Sequence, residues 1–145
     1  MNDKFLAIDP GREKTGIAIF NLKGEILEHE IIDSKKLILK LQAFLEKYAV
    51  DLIIMGNGTS SKSKYNLIKL NFANVKLKTI NEYRTTDEAR KLYFKENPPK
   101  GWKRLIPLGM QVPPVPVDDY AAIAIGKKYL NAKDLKLPYY LLQMH

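Results

Sequence analysis

The 145-residue sequence contains no cysteine, which excludes a disulfide framework, a thiolate zinc site and a cysteine nucleophile. Histidine is nearly as scarce, with only His29 and His145, so a histidine-rich metal centre or a Ser-His-Asp triad has almost nothing to build on. No apolar run approaches the roughly 20 residues that span a bilayer. The N-terminus lacks the basic segment and long apolar core of a secretion signal. The expectation is a single soluble, cytoplasmic domain. Acids are outnumbered, 16 Asp and Glu against 24 Lys and Arg, leaving a net charge of +8 and a pI near 9.5. That balance suits a polyanionic partner, most simply nucleic acid, although plain solubility needs no more. Any chemistry must rest on carboxylates, lysines, hydroxyls and backbone.

What is present falls into alternating segments. Lys4 to Asp9 and Thr15 to Leu22 read as strands joined by a Pro10-Gly11 turn, and Asn21 to Gly24 turns the chain into a third strand, Glu25 to Ile32. From Ser34, expected as an N-cap, Leu37, Ile38, Leu41, Phe44, Leu45 and Tyr48 recur at helical spacing. Asp51 to Met55 is a short apolar strand ending in GNGTSSK, followed by a helix over Tyr65 to Phe72. Val75, Leu77 and Thr79 alternate with Lys76 and Lys78 in a strand that ends at Ile80. Thr85 and Glu88 form a capping box for a helix running to about Lys95. Asn97 to Pro116 holds most of the eight prolines and predicts a long loop. A last helix covers Val117 to Leu130.

Three strands followed by alternating helices and strands predict an α/β fold of the ribonuclease H-like kind. Its five-stranded mixed sheet would join an antiparallel meander of three strands to two parallel strands, flanked by helices. Three acids stand at element junctions: Asp9 closing the first strand, Glu82 just after the strand ending at Ile80, and Asp118 or Asp119 opening the last helix. If the first strand and the Ile80 strand are close neighbours, these carboxylates converge. Such a cluster favours a hard divalent cation, because mutual repulsion is costly without one. Two such ions can activate a water and stabilise the leaving oxygen of a phosphodiester. Each acid also has a plainer reading: a turn residue for Asp9, a solvated charge for Glu82, a helix-start carboxylate for Asp118. Asp118 shares a face with Ala121, Ala122, Ile125 and Tyr129, and Asp119 with Ala122, Ile123, Gly126 and Leu130, so helical periodicity does not choose between them.

The glycine loop can present N–H groups and hydroxyls, Thr59 among them, to a phosphate. It is no dinucleotide fingerprint, since Ser61 stands where a third glycine belongs, and no Walker A pattern occurs. An ordinary glycine turn explains it equally well. In PPKGWKR, Trp102 beside Lys103 and Arg104 offers base stacking and phosphate contacts, or else a ring folded onto the core. Lysines 35, 36, 40, 62, 64, 76 and 78 are candidate backbone contacts, or simply a solvated surface.

LAIDPGREKTGIAI, DLIIMGNGTSS, NEYRTTDEA and VDDYAAIAI, in that order and over most of the chain, resemble the YqgF family. This family, also called RuvX, comprises Holliday junction resolvase-like and pre-16S rRNA processing nucleases. The resemblance implies a ribonuclease H-like fold, Mg²⁺ or Mn²⁺ at an acidic site, and hydrolysis of phosphodiesters to a 3′-hydroxyl and a 5′-phosphate. Carried over by position, the metal ligands are Asp9, Glu82 and Asp118, with Asp119 assisting and Lys14, Thr59 and Arg84 contacting phosphate. NEYRTT departs from the family pattern, placing Asn81 where an acid is usual and moving the arginine one place to Arg84. GNGT and NE are also similar to the domain embedded in Tex transcription accessory proteins, which implies a second reading: a nucleic-acid-binding module of the same fold without hydrolysis. The substrate would be a DNA junction or structured RNA. A two-fold junction cut in pairs calls for a symmetric homodimer, whereas RNA trimming does not. Sugar kinases and actin-like ATPases share the acid-Gly strand turn and glycine loop, but they close a second domain over the nucleotide, for which 145 residues leave no room.

Overall fold

The computed structural model describes residues 3–58, 60–81, 85–105, 107, 113 and 118–134; of 85–88, 102, 103, 133 and 134 it describes the backbone alone. The strands are β1 (Lys4–Asp9), β2 (Lys14–Asn21), β3 (Ile26–Asp33), β4 (Leu52–Gly56) and β5 (Lys76–Ile80). The helices are α1 (Leu37–Tyr48), α2 (Ser61–Asn71), α3 (Thr85–Glu96) and α4 (Asp118–Asp134). The five strands form one sheet in the order β3-β2-β1-β4-β5. β1 to β3 make the expected antiparallel meander, and β4 and β5 run parallel to β1.

β1 lies at the centre, and Phe5 to Ile8 are fully buried. A strand covered on both faces has no polar alternation to show, which is why this run reads as continuously apolar. The pleat sends Leu6 and Ile8 to one face, where Ile17, Ile19, Ile53 and Met55 meet α1 and α2. Phe5 and Ala7 point to the other, with Ala18, Phe20, Ile54 and Ile80 against α4. Small residues on both sides, Ala7 and Ala18 on the sheet and Ala122 and Gly126 on the helix, let α4 seat closely. The Cβ missing from Gly126 would lie 2.2 Å from the Phe20 ring, which stacks on Phe5 at 5.0 Å. α3 flanks α4 through Tyr93 and Phe94, both buried.

β4 lies between β1 and β5, so the strand ending at Ile80 is a second neighbour of β1, about 10 Å away, with its C-terminal end on the same side. Three expectations are corrected. Ser34 is no helix cap. It is buried in a 3₁₀ turn, Ser34–Lys36, whose cap is Asp33, accepting from the Lys35 N–H at 3.0 Å. α2 starts at Ser61 rather than Tyr65, because its first turn is polar and carries no apolar period. The proline-rich segment contains a short 3₁₀ turn at Gly101–Leu105. The capping-box side chains of Thr85 and Glu88 lie outside the described residues. Among the described residues no helix is long and apolar enough to cross a membrane.

Candidate functional site

Asp9 is the last residue of β1 and half-buried. Strand alternation from Phe5 and Ala7 directs its side chain to the α4 face. The turn that follows is fixed from below by a hydroxyl chain. Ser34 Oγ donates to the Gly11 carbonyl at 2.8 Å, and Thr15 Oγ1, 2.7 Å away, donates to Ser34 Oγ in turn. Ser34 N–H adds a bond to the Glu13 carbonyl at 2.9 Å. Both hydroxyls are buried, so the bonds form in a low dielectric and hold the end of β1 without slack. This is the local reason for the Thr15-Gly16 pair.

Gly16 is the β2 partner of Asp9. A Cβ on Gly16 would sit 1.7 Å from the Asp118 carbonyl oxygen and 2.7 Å from the Asp119 nitrogen. The first turn of α4 therefore rests on bare backbone directly across from Asp9, one strand spacing of about 5 Å away. Asp9 and Asp118 are thereby brought to the same face and the same end of the sheet.

Two neighbours of Asp118 tie that turn down on either side. The Asp119 carboxylate accepts from His29 Nδ1 at 2.7 Å. His29 projects from β3 opposite Ala18, so Asp119 turns toward the β3 edge and away from β1. Tyr120 donates to Glu96 Oε2 on α3 at 2.6 Å. Its ring lies 5.7 Å from Tyr93 and 5.5 Å from His29. Burial, reinforced by Glu96, pushes the Tyr120 phenol up to about 12. Among the described residues Asp118 has no such tether. Burial raises its pKa above the ordinary carboxylate value, and the charge of Asp119 adds to the effect. The two acids that periodicity left equivalent thus differ in their surroundings: Asp119 is tethered to His29, and Asp118 is half-buried at the end of the sheet where β1 closes with Asp9.

Glu82 lies outside the described residues, as do Arg84 and Thr59. The backbone leading into Glu82 is nonetheless defined. Asn81 is buried at 1% exposure, and Lys128 of α4 donates to its carbonyl. Burial makes a charge costly there, and an amide avoids that cost at a position where the resemblance had an acid. Lys14 opens β2, exposed, opposite Asp33. Lys62 is exposed on the first turn of α2. Trp102 and Lys103 are placed in the Gly101–Leu105 turn by backbone alone, and Arg104 is exposed in the same turn.

His29 and Lys128 were not singled out from the sequence. Strand alternation puts His29 on the same face as Leu27 and Ile31, the only local signal it carries, and Lys128 stands among exposed-looking charges.

Among the described residues no three His, Asp or Glu side chains stand close enough to hold a metal ion, so a three-carboxylate site would need an acid outside them, as Glu82 is. The donors present are hard carboxylate oxygens. Burial and the neighbouring Asp119 both work against ionising Asp118. Asp119 Oδ1 is buried without a donor among the described residues. This anionic corner fits a hard divalent cation.

Over residues 3–90 the chain matches the family model of the Tex protein YqgF-like domain. No curated protein matches it. Among solved structures, Thermus thermophilus RuvC is similar with a TM-score of 0.56 at 14% identity, over 90% of this chain and 96% of that one. YeaZ from Pseudomonas aeruginosa gives 0.45 at 21% identity, over 67% and 50%. A ROK family protein from Streptococcus pneumoniae gives 0.44 at 17% identity, over 64% and 39%. The chain thus spans half or less of the last two. With its strand order, the likeness to RuvC makes this an α/β fold of the ribonuclease H-like kind.

Proposed function

The chain belongs to the family of Tex protein YqgF-like domains, and from that premise we propose that it is a metal-dependent endonuclease acting on structured nucleic acid, a DNA junction or a folded RNA. The observation that carries the proposal is the seating of Asp118 on Gly16, directly across from Asp9. In this reading Asp9, Glu82 and Asp118 hold Mg²⁺ or Mn²⁺. A divalent ion bound there would lower the pKa of a water and stabilise the leaving oxygen.

The protein's own contribution is placement. Asp9 is held by the buried Thr15-Ser34-Gly11 chain. Asp118 is held through its neighbours by His29 and Glu96. The backbone before Glu82 is held by Lys128. Ligands fixed on a rigid frame keep the reacting phosphate in line with the attacking water, where a misplacement of about 1 Å costs on the order of 10²-fold. Lys14, Arg84, Lys103 and Arg104 then supply charge to the backbone, and Trp102 a stacking surface.

The second reading is a nucleic-acid-binding module of the same fold without hydrolysis. It is favoured by the family that matches, by the end of that match at residue 90, before Asp118, and by the neutral buried Asn81. One panel separates the two: labelled single-stranded RNA, a ribosomal RNA precursor fragment, duplex DNA and a four-way DNA junction, each with Mg²⁺, Mn²⁺ or EDTA. The nuclease reading expects metal-dependent cutting that Asp9→Asn abolishes while its unfolding curve stays within about 1 kcal/mol of wild type. Full activity in Asp9→Asn removes that reading. Binding without cutting under every metal condition establishes the second.

A further inference from the structure

The turn after Asp9 and the turn after β3 are fastened together at one end of the sheet. Ser34 Oγ donates to the Gly11 carbonyl and Ser34 N–H to the Glu13 carbonyl, so Arg12 to Lys14 lie against the 3₁₀ turn that carries Lys35 and Lys36. Lys14 is the β2 partner of Asp33. It alternates with Thr15, whose hydroxyl turns to Ser34, and so shares the α4 face with Gly16, about 7 Å beyond the level at which Gly16 pairs with Asp9. Arg12, Lys14, Lys35 and Lys36 are all exposed.

Their charge is only partly met. The Lys35 N–H donates to the Asp33 carboxylate at 3.0 Å. That bond, with the charges of Lys14, Lys35 and Lys36 behind it, outweighs desolvation and holds the Asp33 pKa below the ordinary carboxylate value. One carboxylate thus stands among three ammonium groups. Among the described residues none of the three, nor Arg12, closes to an ion pair. Glu13 is the other acid of these two turns, which leaves four cations against two anions. Lys40, the next lysine along, is already engaged by Glu30 at 3.6 Å.

Cations spread along an edge, rather than gathered into a pocket, suit an extended polyanion better than a small ion. Position identifies the polyanion. A backbone whose reacting phosphate lies over Asp9 and Asp118 brings its neighbouring phosphates onto the ends of the flanking strands, and on the β2–β3 side those ends are this rim.

We propose that the rim of Arg12, Lys14, Lys35 and Lys36 receives the phosphodiester backbone adjoining the acidic corner, with Asp33 as its internal counter-ion. The assignment rests on the nucleic-acid reading above and extends it to Arg12, Lys35, Lys36 and Asp33, which the corner itself does not use. Phosphates arriving at the rim take the lysines from Asp33, so the acid opposes binding. Asp33→Asn removes that opposition and keeps the turn, because an amide oxygen accepts from the Lys35 N–H as a carboxylate does.

The test is fluorescence anisotropy of a labelled four-way DNA junction and a labelled RNA hairpin, in EDTA across a KCl series. It compares wild type with Lys35→Ala/Lys36→Ala and Asp33→Asn. Lys23→Ala/Lys69→Ala and Asp51→Asn make the same changes of charge at exposed positions away from the rim and should behave as wild type. Losing two phosphate contacts should flatten the slope of log affinity against log salt on the junction by about 1.8. Asp33→Asn should tighten binding about two- to fivefold at low salt, the scale of an exposed ion pair. A wild-type slope in Lys35→Ala/Lys36→Ala, an equal loss in Lys23→Ala/Lys69→Ala, or no tightening in Asp33→Asn overturns the rim, and leaves the nuclease reading standing wherever metal-dependent cutting is seen. Rim-dependent binding by a protein that cuts nothing supports the rim and removes the nuclease. Polyglutamate competing as strongly as the junction overturns the phosphodiester in favour of an acidic protein. No binding of either probe by wild type overturns the rim and the nucleic-acid reading together.

Discussion

Gly16→Ala sets two opposed effects against each other at one atom. In an open strand position the substitution stabilises, by roughly 0.5–1 kcal/mol, because alanine has fewer unfolded conformations to lose. Here the added Cβ would meet the Asp118 carbonyl oxygen at 1.7 Å and its carbon at 2.2 Å. Ordinary contact lies near 3.5 Å, so the first turn of α4 has to retreat by well over about 1 Å. Nothing soft is available to yield, because the obstructing atoms are backbone and the flanking side chains are tied to His29 and Glu96. Overpacking of this kind costs about 1–3 kcal/mol or more, which exceeds the entropic gain. The expected net loss of about 2 kcal/mol moves the urea midpoint down by roughly 1 M for a slope near 2 kcal/mol/M, read by far-ultraviolet circular dichroism. Gly101→Ala is the contrast. Its φ of +63° strains any side chain, but nothing lies within 4 Å, so about 1 kcal/mol is lost. If the proposed nuclease is correct, Gly16→Ala also loses on the order of 10²-fold in cleavage while still folded. A Gly16→Ala protein within 0.5 kcal/mol of wild type would refute the seating of α4 on β2.

Three further substitutions probe the frame. Ser34→Ala removes the hydroxyl joining Thr15 to Gly11 and should cost about 1–3 kcal/mol by leaving buried partners unpaired, lowering Tm by roughly 2–4 °C per kcal/mol in calorimetry; an unchanged Tm would mean the Asp9 turn is held by other means. His29→Ala strips Asp119, 14% exposed and with Oδ1 already lacking a donor, and should cost a similar amount, whereas Asp119→Asn should retain any divalent-metal affinity seen by titration calorimetry; loss of metal binding in Asp119→Asn would make that residue a ligand. Glu28 accepts from Lys47 at 2.9 Å and Tyr48 at 2.7 Å, bonds that hold its pKa below the ordinary 4.5, the one from Lys47 contributing most. A depressed folded-state pKa stabilises above pH 4.5 and is lost as pH falls through the folded value, so Glu28→Gln should cost about 1 kcal/mol at pH 7 and nothing near pH 2, the difference closing between those limits in urea titrations at stepped pH.

The strands of the meander were legible because each is bounded by turn chemistry within its own span: Pro10-Gly11 on one side of β2 and Asn21 to Gly24 on the other. α1 was legible through its repeating apolar residues. What failed was whatever depended on partners distant in sequence. A helix whose first turn is Ser-Lys-Ser-Lys has no apolar stripe to announce it, so α2 was read four residues late. Ser34 has the chemistry of a cap, yet the Gly11 carbonyl and Thr15 claim its hydroxyl and leave Asp33 to cap instead. Nor does strand order appear in local pattern. β4 lies beside β1 because a crossover through α1 brings it there, which leaves β5 one strand further out.

Asp118 and Asp119 show where local reasoning ends. Both sit in the first turn of α4, both lead apolar faces, and each has the same chemistry. The choice is made by a histidine 90 residues earlier in the chain and by a glycine whose value lies in the side chain it lacks. A carboxylate meant to bind a cation has to keep its oxygens uncommitted, at a desolvation cost that shows as a raised pKa. A carboxylate meant to position its neighbour should be committed to a fixed donor, as Asp119 is to His29. In the nuclease proposed above, the two tasks fall to neighbouring acids: Asp119 Oδ2 is committed to His29 and, with Tyr120, holds the first turn of α4, while Asp118, its pKa raised by burial and by Asp119, is the candidate ligand.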